Sequence, residues 1–154
     1  MKSVLFVCLG NICRSPMAEG ILRFKVEAQG LKIKIDSAGT EYLHVGENPD
    51  RRATRTAKEH GVDISKLVAR QINAKDFDNF DLVLVAEAQV YNGVIDIARN
   101  ENDKKKVDFI MNLVHPGSNR AVPDPYYGEM DEFEKVFDML DEVCDALIDK
   151  LDEK

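Results

Sequence analysis

Cys8 and Arg14 are separated by five residues in the run Cys8-Leu9-Gly10-Asn11-Ile12-Cys13-Arg14-Ser15. A thiol and a guanidinium at the two ends of so short a turn form a set suited to holding an oxyanion and attacking it. A loop of this length, passing from a strand end to a helix start, can turn successive backbone N–H groups inward. With the positive end of the helix behind them, those groups make an anion nest. Arg14 adds a planar fork that matches two oxygens of a phosphate. The same positive field favours a thiolate: free cysteine ionises near ~8.5, and such surroundings commonly bring that to roughly 3.5–7.5. A thiolate beneath a bound phosphate can attack phosphorus and form a phosphocysteine, while the amides and Arg14 stabilise the equatorial oxygens as charge develops. Ser15 can hydrogen-bond the sulfur and help it leave in a second step. The protein itself supplies the positive charge, so neither a metal nor a cofactor is expected.

A cysteine and an arginine at this spacing also occur by accident, as a packed strand-end thiol and a surface charge, so the flanking elements decide. Residues 4–7 are continuously apolar, the pattern of a strand buried on both faces of a parallel sheet. Ser15-Pro16 predicts an N-cap followed by proline at the first helical position. Apolar residues then recur at Met17, Ile21, Leu22, Val26 and Ala28 until Gly30. Ile33 and Ile35 alternate with Lys32 and Lys34, as on an edge strand. A loop over 37–50 precedes a helix over 51–60, stopped by Gly61. Residues 81–86 form a third strand, 89–100 a helix and 106–110 a fourth strand. Residues 112–128, with Pro116, Pro123 and Pro125, form a long ordered loop of the kind that is more often functional than idle. Phe133, Val136, Phe137, Leu140, Val143, Cys144, Leu147, Ile148 and Leu151 keep a helical period.

Strands alternate with helices throughout, which predicts an α/β class: a flavodoxin-like three-layer fold with a four-stranded parallel sheet, order 2-1-3-4, flanked by helices. Ligands bind such sheets at the carboxyl ends of the strands, where the order reverses. The loop after Val7 falls there.

The chain has 154 residues, 44% of them hydrophobic and 32% charged, the balance of one globular domain spanning 1–154. Its 28 acidic against 21 basic residues give a net charge of −7. Such a surface repels nucleic acid and anionic membranes, so neither is expected as a partner. No stretch reaches the ~18 apolar residues of a membrane span. The apolar run 4–9 is too short for a secretory signal. Three cysteines, an odd number, make no disulfide framework. A cytoplasmic, monomeric protein is the expectation.

The stretch VLFVCLGNICRSPMAE (4–19) resembles the signature of the low-molecular-weight protein tyrosine phosphatase family. Asp36-Ser37-Ala38-Gly39-Thr40, His44-Val45-Gly46 and Val122-Pro123-Asp124-Pro125-Tyr126-Tyr127-Gly128 resemble its later blocks in the same order, over nearly the whole chain. The resemblance implies that Cys8 is the nucleophile, Arg14 the phosphate clamp and Asp124 the general acid. It also implies that Asn11 shapes the loop, that Ser15 assists the thiolate, and that the phosphate-binding loop is Leu9, Gly10, Asn11, Ile12, Cys13 and Arg14. The substrates it implies are phosphotyrosyl proteins. Asp124 suits its role on physical grounds too. A phenolate with a conjugate pKa of about 10 leaves poorly unless protonated, and Pro123 and Pro125 stiffen the backbone around the carboxyl. Tyr126 and Tyr127 are expected at the cleft mouth; in related phosphatases such tyrosines can be phosphorylated, which makes a tyrosine kinase a candidate partner. Ile12 resembles the tyrosine-directed members, whereas relatives acting on phosphoarginine carry threonine there.

The chain departs from the family pattern where an aromatic ring often precedes His44: Leu43 stands there, with Tyr42 one place earlier, so both are candidates for the cleft wall. After the third strand the usual methionine-aspartate is replaced by Ala86-Glu87. Cys13 reads equally as a packed small residue or as a redox partner that traps an oxidised Cys8 in a disulfide. Cys144 reads as core. His44, His60 and His115 are isolated, and His44 could stabilise its loop. Lys104–Lys106 and Asp149, Asp152 and Glu153 read as solvated faces, and Arg51, Arg52 and Arg55 as a surface helix, with a place near the cleft as the alternative. Two other readings compete. One is an arsenate reductase of the same fold, opposed by the lack of cysteine in 82–100. The other is a phosphotyrosine-binding module without turnover, opposed by the presence of Cys8, Arg14 and Asp124 together.

Overall fold

The first apolar run forms β1 (Lys2–Cys8), the start of the chain as described by the computed structural model, which covers residues 2–152. Next come α1 (Arg14–Ala28), β2 (Ile33–Gly39), α2 (Arg51–Glu59), the short α3 (Asp76–Asn79) and β3 (Leu82–Val85). The order closes with α4 (Ala88–Asp96), α5 (Glu101–Lys105), β4 (Val107–Phe109) and α6 (Met130–Leu151). Short 3-10 turns occupy Ile110–Leu113 and Pro125–Tyr127. The four strands are parallel in the order β2-β1-β3-β4, as the alternation of elements predicted. Glu153 of the acidic tail lies outside the described residues.

Side chains on a strand alternate between faces, and β1 uses both. Val4, Phe6 and Cys8 face a core built with α1, α2 and α6. Leu5 and Val7 face a second core, built with Phe77, Phe80, Val90, Val94 and Phe109. Two dry faces explain why the run is apolar without alternation. The register sets Cys8 opposite Gly39 and Val7 opposite Val85, so the carboxyl ends of three strands converge on the loop after β1. Cys144, on the apolar face of α6, donates to the Ala18 carbonyl and is fully buried, as its helical period predicted. No helix among the described residues is long and apolar enough to cross a membrane.

Three local expectations are corrected. The helix expected over 89–100 ends early, at Asp96, and a separate helix, α5, starts only at Glu101, where the Asn100 side chain accepts from the Asp103 N–H. Ser15 does not cap α1: the helix starts at Arg14 with Cys13 in the capping position, and Ser15 lies one residue inside. Its hydroxyl is taken up by the loop instead. Pro16 still falls in the first turn, where a missing N–H costs nothing. The segment before β3, given no element from the pattern, holds α3 and a parallel bridge from Gln71 to Gly39.

Gly39 is where β2 meets the loop. A Cβ there would lie 2.7 Å from the Leu9 carbonyl oxygen and 3.0 Å from the Gly10 carbonyl carbon, both backbone atoms that cannot swing aside. Gly39→Ala is therefore expected to destabilise the protein by about 1–3 kcal/mol, read as a lower urea midpoint at unchanged slope; an unaltered midpoint would show that the approach is not tight.

Candidate active site

Residues 9–13 make the turn between β1 and α1, and among the described residues none of their backbone N–H groups donates to a protein acceptor. Buried amides are nearly always paired, and Asn11 is only 3% exposed. A run of unpaired N–H groups at a helix N-terminus is thus a cradle for an anion. The loop's carbonyls are engaged where its N–H groups are not. Thr40 N–H donates to Cys8 O (3.0 Å), Glu41 N–H to Leu9 O (2.9 Å) and Asp50 N–H to Ile12 O (2.8 Å). Pinning the carbonyls outward leaves the amides for a ligand.

Asn11 takes the left-handed conformation (φ 58°) that lets the turn close. Its side chain holds it there. Oδ1 accepts the Arg70 backbone N–H (3.1 Å), which fixes the amide's orientation. Nδ2 donates to both the Ser15 hydroxyl (2.7 Å) and the Ser37 hydroxyl (2.9 Å). Ser37 in turn donates to the buried Glu19 carboxylate (2.6 Å), which also receives Arg23 (2.6 Å). Burial raises the Glu19 pKa more than those two hydrogen bonds lower it. Having accepted from Asn11, Ser15 is left with one hydrogen to give. Cys8 Sγ lies 2.9 Å away and the Ala38 carbonyl 3.5 Å, so the sulfur is the better acceptor. The network therefore makes Ser15 a donor to the Cys8 sulfur.

Arg14 is only 2% exposed at the base of the loop. It is held by the Glu87 carboxylate just beyond β3 and by the Val122 carbonyl (3.0 Å), and its other terminal nitrogen lies 3.6 Å from Asp124 Oδ2. Val122 is itself tied to the end of β3 by its N–H on Ala86 O (2.7 Å). Asp124 opens the Pro125–Tyr127 turn, where its Oδ1 accepts the Tyr126 N–H (3.1 Å). Arg52, read from the sequence as a surface residue of α2, fastens this turn by donating to Tyr126 O (2.8 Å) and Gly128 O (3.0 Å). Asp50 caps α2 and grips the same guanidinium. Its burial raises its pKa, but hydrogen bonds from the Arg52 side chain, the Arg52 N–H and the Ala53 N–H outweigh that and keep it below the usual carboxylate range.

A cleft of about 540 Å³, counted to its open mouth, has Cys8, Cys13 and Arg14 at the loop and Ile12, Leu43, Tyr126 and Tyr127 among its walls, with Glu41, His44 and Asp124 beside them. The structure thus lines the cleft with every expected site residue except three. Asn11 and Ser15 support the cradle from beneath rather than lining it. Tyr42 stands outside the lining altogether: a turn closed by Val45 N–H on Tyr42 O (3.1 Å) directs Leu43 and His44 to the cleft and leaves Tyr42 76% exposed. The ring missing at Leu43 is therefore not replaced by Tyr42. The Tyr126 and Tyr127 rings meet edge to face at 5.0 Å, and Tyr127 is 90% exposed at the rim.

Cys8, Cys13 and Cys144 are free thiols. Burial, reinforced by the charges of Asp50 and Cys8, pushes the Cys13 thiol far above the ordinary range, which keeps it protonated. Sequence reasoning missed the roles of Ser37 and the Arg70 backbone, noted Glu87 only as a departure from the family pattern, and preferred a surface place for Arg52. Glu87 had a signal, being a carboxylate at the carboxyl end of a central strand; Arg52 had none beyond its neighbour Asp50. Among the described residues His60, Glu134 and Asp138 form the one group close enough to share a metal ion, on the surface rather than in the cleft. His60 there is bonded to Glu134 and stacked on Phe137 at 4.1 Å.

The family profile described as low molecular weight phosphotyrosine protein phosphatase matches residues 3–154. The Schizosaccharomyces pombe protein of that name is 41% identical over 84% of each chain. The Homo sapiens protein of that name is 38% identical over 97% of this chain and 95% of its own. A crystal structure of a protein tyrosine phosphatase from Entamoeba histolytica, with Hepes in its active site, superposes with a TM-score of 0.91 at 35% identity, covering 98% of this chain and 97% of that one.

Removing the Ser15 hydroxyl takes away the hydrogen bond to the Cys8 sulfur, and a hydrogen bond to a group that bears charge during reaction is worth about 1.5–3 kcal/mol. Ser15→Ala is expected to slow turnover of an aryl phosphate roughly ten- to hundredfold with KM nearly unchanged, measured by steady-state kinetics; an unchanged kcat would remove Ser15 from the account.

Proposed function

This chain belongs to the low molecular weight phosphotyrosine protein phosphatase family and is a hydrolase, and on that premise we propose that it hydrolyses phosphotyrosine in proteins through a phosphocysteine on Cys8. The observation that carries the reading is the position of one thiol. Cys8 lies under a loop of unpaired N–H groups, with Ser15 donating to its sulfur, Arg14 buried beside it and the Asp124 carboxyl across the cleft.

In the first step the substrate's phosphate settles on the N–H groups of residues 9–13 and on Arg14. The Cys8 thiolate attacks phosphorus, a sulfur–phosphorus bond forms and the bond to the phenolic oxygen breaks. Asp124 gives its proton to that oxygen, so tyrosine leaves neutral. In the second step Asp124, now a carboxylate, takes a proton from water. The water attacks phosphorus, inorganic phosphate forms, and the sulfur leaves as a thiolate steadied by Ser15. Glu87 and the Val122 carbonyl hold Arg14 in place so that its fork is set before substrate arrives, which removes the need to reorganise as charge builds. Ile12, Leu43, Tyr126 and Tyr127 offer apolar walls to the aromatic ring. Cys13, kept as a neutral thiol, does not compete as nucleophile, and its place in the same loop suits it to trap an oxidised Cys8 as a disulfide.

Turnover of para-nitrophenyl phosphate and phosphotyrosyl peptides is expected to persist with a chelator present. Cys8→Ser is expected to abolish it, and turnover surviving that change would sink the mechanism. Asp124→Ala should cost phosphotyrosine, whose leaving group needs a proton, about 10²–10⁴-fold, while para-nitrophenyl phosphate with its better leaving group loses much less.

A further inference from the structure

The cleft binds a dianion, yet its walls are acidic. Of the residues lining it, Arg14 is the only arginine or lysine, and it is buried at the floor and already engaged with Glu87 and Val122. Two lining residues are carboxylates, Asp124 and Glu41. Asp124 faces Arg14 and the Tyr126 N–H. The Glu41 carboxylate, exposed at the rim, has no hydrogen bond or ion pair within the described residues.

Glu41 is nevertheless fixed in place by its backbone. Its N–H donates to Leu9 O, Thr40 N–H donates to Cys8 O, and Gln71 Nε2 donates to Thr40 O (3.1 Å). The residue is thereby strapped to the phosphate loop itself, with its side chain on the lining of the cleft. An unpaired carboxylate so close to an anion site repels the phosphate. Its favourable counterpart is a cation carried by the substrate. Beside it Leu43 and Tyr127 are 71% and 90% exposed, so the rim offers apolar surface together with negative charge.

We propose that Glu41 is a specificity-determining residue that selects phosphotyrosyl segments with lysine or arginine beside the phosphotyrosine over segments with acidic neighbours. The proposal rests on the phosphatase reading above and adds the charge class of its substrates. The net charge of −7 acts in the same direction at longer range.

The test compares kcat/KM for three substrates: para-nitrophenyl phosphate, and two phosphotyrosyl peptides identical except for Lys or Glu on both sides of the phosphotyrosine. Wild type is expected to favour the Lys peptide, and an exposed pair of this kind is worth roughly two- to fivefold. Glu41→Gln should remove that factor by slowing the Lys peptide while speeding the Glu peptide and para-nitrophenyl phosphate, since it lifts a repulsion from both. Salt at about 0.5 M, which shortens the screening length to roughly 4 Å, should flatten the wild-type preference in the same way. A preference identical in wild type and Glu41→Gln would overturn the proposal. So would a parallel fall with all three substrates, which marks a structural role. Wild type that turns over none of the three would overturn the phosphatase reading and this proposal with it.

Discussion

A turn whose five consecutive backbone N–H groups meet no protein acceptor among the described residues is unstable by itself, and much of this molecule is arranged to hold one. The loop at residues 9–13 is restrained from three sides. Its carbonyls are taken by the backbone of residues 40, 41 and 50, its left-handed residue Asn11 is clamped by Arg70, Ser15 and Ser37, and the end of β2 presses on it with a glycine because nothing larger fits. The parallel sheet supplies the platform. Its register ends β1, β2 and β3 at one level, so restraints from distant parts of the sequence meet at one loop.

The same economy of contacts joins the two halves of the site. Arg14 at the start of α1 reaches Glu87 after β3 and Val122 before the acid-bearing turn, while Arg52 in α2 grips the far side of that turn. Asp124 is thus set relative to Cys8 by two arginines that approach from opposite sides. One is buried at the floor of the cleft; the other is outside the cleft and positions backbone carbonyls. Such preorganisation is what allows fixed dipoles to stabilise a developing charge.

The architecture was legible because its signals are local. The two-faced burial of β1 writes itself as an unbroken apolar run, and α6 as a stripe at helical spacing. The loop was legible because strand, glycine, cysteine and arginine are adjacent in the chain. What escaped was set by contacts remote in sequence or by competition for one group. Ser15 has the composition of a helix cap, but Asn11 and Cys8 claim its hydroxyl, so the helix starts two residues earlier without it. Arg52 carries nothing in its neighbours to say that its partners lie more than seventy positions on. Tyr42 and Leu43 differ only in which side of a tight turn they occupy, a distinction that no composition or spacing encodes. Glu87 stands where the family usually has aspartate, and its longer side chain still reaches Arg14.

The central claim is covalent: a phosphoryl group passes through the sulfur of Cys8. The most direct measurement is rapid acid quench of the enzyme during turnover of an aryl phosphate, followed by mass analysis of its peptides. The account predicts one added phosphoryl group on the peptide that holds Cys8, formed and lost at rates consistent with turnover. Steady turnover with that peptide never modified, or with the phosphoryl group on another residue, would contradict it.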